Sequence, residues 1–463
     1  MHMEQGKKTL DWRAVVGYGV GAIGLDLSYG LFNSFLMNYF TDVLLISSVF
    51  MGIVAAAARI WDGVNDPMMG TIVDNTRGKQ GKFRPWILLG TVLNAVVLVF
   101  LFANPGFAVS ADSPDKRLWI YAAVMYVLWG MTYTITDIPY WSMVPTFTTD
   151  PKARNTVSAI PRLFSGAGQL LIVALTMPVV KALGDGTDTS QTGFTRWALI
   201  CGLLMCIGSC VAVFATRKMP RNYPDAPKEK ITLGKAFRVI KGNDQLLAFM
   251  CTAILFNTGW YLTNGLGVYY FKWLVGDTGK LSLFGMAAGA GQAVGLVLLP
   301  ILSNKFGRGN VVKAFMGVTF FAYIAMFFAG GLAGNFVLFL VFGVLGCAGI
   351  GALFVAQTAM LSDVVDYGHY KTGERTDSVI FSMKSLLLKA AYAIQSVIIG
   401  VGLRLVHYDG ALVAQPESAK MGILVMMFAI PPVFVLCAFL VFSKYYKLDA
   451  AKMTQVREGI AAR

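Results

Sequence analysis

Charge is what this chain has least of. Only 14% of its 463 residues are Asp, Glu, Lys or Arg, 56% are hydrophobic, and the mean hydropathy is +0.61. A soluble domain carries about 25% charged residues, so there is too little polar surface here to clothe a water-soluble fold. Soluble enzymes, disordered chains and collagen-like chains are excluded. Histidine is nearly absent, with His2, His369 and His407 all away from the middle of any apolar run, which argues against a histidine proton relay. A Walker A pattern is missing, so no nucleotide powers a pump. The six cysteines (Cys201, Cys206, Cys210, Cys251, Cys347, Cys437) lie within apolar stretches, as packing residues do and disulfide or zinc frameworks do not. No Ser/His/Asp spacing or metal cluster suggests an enzyme. Residues 1–13 are polar and the apolar run after them is too long for a signal-peptide core, so no cleavable signal peptide is expected.

What the chain has in abundance is long apolar runs. A membrane helix needs about 20 mostly apolar residues, and twelve such spans are read, starting near Arg13, Ser47, Pro85, Leu118, Arg154, Thr195, Gln245, Leu281, Asn310, Asn335, Thr376 and Ser418. The runs are continuous, without the alternation of barrel strands. The expected class is an all-α membrane protein. Its organisation is expected as an N-terminal bundle over 1–216, a cytoplasmic middle loop over 217–244 and a C-terminal bundle over 245–463. Within the loop, PRNYPDAPKEK reads as a linker and LGKAFRVIKG as a short surface amphipathic helix. The net charge of +14 reflects basic loops rather than nucleic-acid binding. Most Lys and Arg fall on the side that holds both termini, which the positive-inside rule makes cytoplasmic. DNTRGKQGKFRP after the second span and SNKFGRGNVVK after the eighth form matching basic hinges, a faint repeat. Two such six-helix halves resemble the major facilitator superfamily. A GxGxxG at Gly19, Gly21 and Gly24 has no preceding strand, and serves helix packing rather than a dinucleotide.

Charges inside the spans carry the functional signal. Asp26, Asp62, Asp66, Asp137, Arg59, Arg162, Lys384 and Lys389 all fall within spans. Left unpaired and dry, they would cost on the order of 20 kcal/mol, so they must line a wet or paired interior. In ARIWDGVNDPMMG the Asp62 and Asp66 carboxylates share one helix face beside Asn65. Two carboxylates and an amide oxygen suit a small monovalent cation, and without one the like charges favour uptake of a proton. Arg59 can pair with Asp62 when the site is empty, and Pro67 should free backbone carbonyls. In WGMTYTITDIPYWSMVP, Tyr133, Asp137 and Trp141 form a stripe bordered by Thr134. A ring beside a carboxylate suits a sugar: the ring covers C–H faces and the acid accepts from hydroxyls.

ARIWDGVNDPMMG, GKFRPWILLGT, LWGMTYTITDIPYWSMVP and DYGHYKTGERTDSVIFS resemble the glycoside–pentoside–hexuronide:cation symporter family, and its melibiose permeases most of all. The likeness runs from the first span to the KYYKL after the twelfth. It implies a major facilitator fold of two six-helix bundles in the inner membrane, and symport of a glycoside, such as the galactoside melibiose, with co-transported Na+, Li+ or H+ and no cofactor. By the same resemblance, Asp62, Asn65, Asp66 and Thr134 match the cation (Na+) site. Asp26, Tyr133, Asp137, Trp141, Arg162 and Lys389 match the sugar site, with Phe354 where the family has a tryptophan. Arg59, Lys384, Ser385, Asp363 and Asp366 are assigned to coupling and gating. Ser385 stands where melibiose carriers have Thr, Lys384 where Gln is usual, and Leu25 where Lys is usual. The chain ends soon after its last span, without the tail of some lactose carriers, yet a phosphotransferase-system protein remains a candidate regulatory partner on the cytoplasmic face. The alternatives are a carrier of another glycoside, of a hexuronide or of a lysolipid-like amphiphile. A non-transporting receptor has no need of so many intramembrane charges.

Overall fold

The computed structural model describes residues 11–77, 80–110, 115–144, 147, 151–217, 242–372 and 377–461; the side chains of 74, 151–159, 331, 377–385, 450, 457 and 461 fall outside that description. The middle-loop linker and its amphipathic segment, within 218–241, also fall outside it. The helices are α1 (Trp12–Asn38), α2 (Ser48–Asn75), α3 (Arg84–Leu101), α4 (Lys116–Met143), α5 (Pro151–Leu183) and α6 (Gln191–Ala215). They continue with α7 (Asp244–Trp273), α8 (Gly279–Phe306), α9 (Arg308–Met326), α10 (Phe336–Thr372), α11 (Asp377–Leu405), α12 (Glu417–Tyr445, with a π turn at Val425–Ala429) and a short α13 (Ala450–Ala461). Every start lies within a few residues of the expected one.

Eleven of these helices are long and apolar enough to cross a membrane. The exception among the long ones is α2, whose Arg59, Asp62, Asp66 and Asp74 dilute its hydropathy. Polar caps set several helix starts: the Asp11 carboxylate accepts from Arg13 and Ala14 N–H, and Asp115, Ser190 and Asn243 do the same for α4, α6 and α7.

The chain forms two compact units, residues 1–39 with 61–225, and residues 40–60 with 226–463. In the first, α1 packs on α5 and α6, and α3 on α4 and α6; in the second, α7 packs on α11 and α12, and α9 on α10 and α12. Adding six to each helix number converts one set of pairs into the other, so the repeat that was faint in sequence is explicit in packing. The basic hinges match too. Gly81 before α3 and Gly307 between α8 and α9 both take positive φ, at 84° and 79°, which side chains other than glycine's resist. The glycines of the first span are packing residues. A Cβ on Gly21 would lie 2.7 Å from the Ala212 Cβ, and one on Gly24 would lie 2.8 Å from the Met205 Cα, both on α6.

The second unit includes Phe40–Ile60, the turn after α1 and the first half of α2. The Ser48 hydroxyl donates to the Gly400 carbonyl at 2.9 Å, and Gly52 and Gly400 let the two backbones approach closely. Asp42 is the strongest tie. Its carboxylate accepts from Lys272 Nζ at 2.6 Å, the Tyr408 hydroxyl at 2.6 Å and the Thr41 hydroxyl at 2.8 Å. The α2 helix therefore begins in one unit and ends in the other.

Candidate functional site

The first unit gathers most of the expected site residues. On α2, Asp62, Asn65 and Asp66 stand at positions i, i+3 and i+4, one face of one turn. Asp62 and Asp66 meet α4 in register. Asp62, 4% exposed, brings Oδ1 within 3.5 Å of where a Cβ on Gly130 would stand, and one turn along the Thr134 hydroxyl donates to Asp66 at 3.1 Å. Glycine at 130 and threonine at 134 thus give two carboxylates room and a hydroxyl partner. Both helices carry a proline here, Pro67 after Asp66 and Pro139 after Asp137. Each lacks the N–H that the carbonyl four residues earlier would bond, yet neither breaks its helix. One turn on, the Thr71 hydroxyl donates back to the Pro67 carbonyl at 2.9 Å.

On its next face α4 carries the aromatic stripe. The Tyr133 ring stacks on Tyr29 of α1 at 5.3 Å and on Trp129 at 5.0 Å, and Asp137, one turn along, is a charged neighbour of its hydroxyl. Asp26 of α1 takes a hydrogen bond from Ser165 of α5 and has Asp137 and Arg162 as charged neighbours. The Arg162 guanidinium, exposed, stands 5.1 Å from the centre of the Trp141 ring. Asp26, Tyr133, Asp137, Trp141 and Arg162 are thus linked by direct contact or charge. Two further features hold this face. Tyr18 and Tyr140 stack at 4.3 Å and each hydroxyl donates to the other's backbone carbonyl. Asn94 of α3 accepts from Ser28 at 3.0 Å and donates to the Trp129 carbonyl at 3.1 Å, bonding α1 and α4 through one buried amide. Leu25 belongs to the apolar core with Tyr18, Tyr140 and Met205, against which Trp141 of the stripe also packs.

The remaining expected residues lie in the second unit. Arg59 is buried, and its guanidinium stands over the Tyr392 ring at 5.1 Å. Asp363 of α10 pairs with Arg308 at the α8–α9 hinge, while Asp366 one turn on is half-buried. Phe354 and Lys389 are half-buried on α10 and α11; the Lys384 and Ser385 side chains fall outside the described residues. Near Phe354, the Asn257 amide of α7 donates to Gln357 at 3.2 Å. Sequence reasoning missed the Asp42–Lys272–Tyr408 network, because Asp42 and Lys272 stand at span ends where charge is ordinary; only Asp42's burial marks it. Among the described residues no three His, Cys, Asp or Glu side chains group as metal ligands. What α2 and α4 offer is two carboxylates, an amide and a hydroxyl, all hard oxygen donors suited to an alkali cation or a proton.

The sequence matches the family of MFS/sugar transport proteins over residues 17–450. It is 27% identical over 457 residues to the inner membrane symporter YicJ of Escherichia coli, covering 98% of this chain and 96% of that one. It is 25% identical over 487 residues to the lactose permease of Lactobacillus helveticus, covering 100% of this chain and 73% of the permease. A crystal structure of a D-xylose-proton symporter superposes with a TM-score of 0.67 over 95% of this chain and 98% of that one, at 13% identity, a likeness of fold alone. With its helical repeat and its acid-lined helix pair, the chain belongs to the major facilitator superfamily, in the family of glycoside:cation symporters, and is a membrane transporter rather than an enzyme.

Proposed function

We propose that the chain carries a glycoside, a galactoside such as melibiose, together with one Na+, Li+ or H+ across the inner membrane, with both termini cytoplasmic. Asp62, Asn65, Asp66 and Thr134 hold the cation. Asp26, Tyr133, Asp137, Trp141 and Arg162 hold the sugar, and the assignment of Phe354 and Lys389 to sugar binding rests on the family resemblance alone. Arg59, Lys384, Ser385, Asp363 and Asp366 serve coupling and gating, with Asp363 closing on Arg308. The observation that carries the reading is the double duty of α4: Thr134 bonds the cation carboxylate Asp66, and its sequence neighbour Tyr133 opens the stripe that ends at Trp141. A cation that draws Thr134 and Asp66 together orders the helix that presents Asp137 to the sugar. By linkage the sugar then tightens the cation site by the same factor. A sodium ion moving down 100 mV releases about 2.3 kcal/mol, which drives accumulation.

Counterflow in vesicles with a panel of α- and β-galactosides, glucosides, hexuronides and a lysolipid tests the cargo. Galactoside exchange that rises with sodium supports the reading. Exchange of only a hexuronide or the lysolipid transfers it to another cargo, and no exchange of any cargo leaves a receptor. Asp137→Cys should abolish sugar binding in calorimetry while sodium still binds, and wild-type sugar affinity in that variant would remove Asp137 from the site. Regulation by a phosphotransferase-system protein on the cytoplasmic face rests on the family resemblance; it requires that such a protein, added to inside-out vesicles, lower counterflow.

A further inference from the structure

The α2 helix passes from the second unit to the first between Ile60 and Trp61. Just before that passage, the Arg59 guanidinium stands 5.1 Å from the centre of the Tyr392 ring, which packs at 4.4 Å against the Tyr261 ring, tilted by 44°. Just after it, Asp62 enters the candidate cation site. Residues three apart on a helix are surface neighbours, so the attractors within reach of Arg59 include the Asp62 carboxylate and the negative face of an aromatic ring. The first is also what a bound cation needs. Guanidinium and cation compete for one carboxylate, and the free energy with which the ring holds the guanidinium decides part of that competition.

Resting on the cation reading above, we infer that Tyr392 is a positioning residue for cation binding: its ring, backed by Tyr261, holds Arg59 and so weakens the guanidinium's hold on Asp62. The ring face does this work and the hydroxyl does not. A cation–π contact of this kind is worth about a two- to thirtyfold change in an equilibrium constant, depending on its desolvation. Tyr392 acts on the site through Arg59, without touching cation or sugar itself. Its effect must therefore appear in the cation dependence of binding and vanish once the cation is saturating.

The test is calorimetric sugar binding by the full chain, titrated against sodium at fixed pH. Tyr392→Leu should raise the sodium concentration at half-effect about two- to thirtyfold while sugar affinity at saturating sodium stays that of the wild type. Tyr392→Phe, which keeps the ring, should restore the wild-type sodium curve. In an Arg59→Gln background, Tyr392→Leu should shift the curve no further. If the leucine variant fails to fold, Tyr392→Met, whose flexible unbranched side chain fills irregular gaps, takes its place. Equal shifts in the leucine and phenylalanine variants would overturn the role of the ring. So would a parallel loss of sugar affinity at saturating sodium, or a leucine effect that persists without Arg59. A wild type with no cation dependence overturns the symport reading itself, and Tyr392 with it. A cation-dependent wild type whose curve Tyr392→Leu leaves unmoved overturns the positioning role alone.

Discussion

Asp42 shows how much a single buried charge demands. Its side chain is fully buried and that of Lys272 is 13% exposed, so the pair is desolvated and depends on its hydrogen bonds. Tyr408 supplies one. Burial, and then the Asp42 charge, push its phenol pKa well above the ordinary value, so it remains a donor throughout the physiological range. Lys272→Met should destabilise the protein by about 3–5 kcal/mol, because a carboxylate is left buried without its cation. Asp42→Asn combined with Lys272→Met should cost far less than the two single changes added. Thermal unfolding of the purified protein measures this cycle, and additive costs would mean the pair is not a unit. In the proposed cation site the chemistry runs otherwise. Asp66→Cys should lose sodium stimulation yet still bind sugar weakly, since the Tyr133–Trp141 stripe is intact. Asn65→Cys should impair sodium coupling more than proton coupling, because a proton needs one carboxylate whereas sodium needs several oxygens to replace its water. Sugar affinity titrated against sodium at several pH values decides both, and full sodium dependence in Asp66→Cys would move the cation site elsewhere.

Among the elements, α8 and α10 show what glycine spacing accomplishes between membrane helices. A Cβ on Gly295 would lie 1.7 Å from the Ala348 carbonyl oxygen, and one on Gly351 would lie 2.1 Å from that of Gln292. Backbone atoms cannot swing aside, so the whole helix has to move. Small residues are what permits such contact where lipid supplies no hydrophobic drive between helices. Gly295→Ala should therefore cost about 1–3 kcal/mol or more, whereas Gly317→Ala on α9, where nothing lies within 4 Å, should be neutral or slightly stabilising. Comparing the two melting temperatures checks the claim, and equal effects would refute the close-approach argument. These glycines were visible in the sequence, but which of them touch a neighbour was not. Spacing along one helix says nothing about which helix lies opposite.

At the scale of the whole molecule, the site chemistry requires reciprocity. Whatever factor sodium confers on sugar affinity, the sugar must confer on sodium affinity. Calorimetry in both directions should return equal factors, typically between about fivefold and 150-fold for coupled sites. Unequal factors would mean that more than one cation, or an untracked proton, takes part. Much of this was legible beforehand. Span starts and the Asp62/Asp66 and Tyr133/Asp137 faces follow from hydropathy and the 3.6-residue period. The placement of Arg59 against Tyr392, and of Phe40–Ile60 in the second unit, was not legible, since both join residues hundreds of positions apart.

The sequence by itself determined that this chain lives in a membrane, as twelve helices with acidic faces on the second and fourth. The reason is local: apolar runs must be helical in lipid, and residues four apart on a helix share a side. The tertiary structure decided the rest. It set Gly130 and Thr134 opposite Asp62 and Asp66, and Ser165 and Arg162 beside Asp26. It turned Asp42 from an ordinary span-end charge into a buried anchor for Lys272 and Tyr408. Such pairings depend on helix register and close approach, which are set by packing between distant segments and leave no periodic trace in either one.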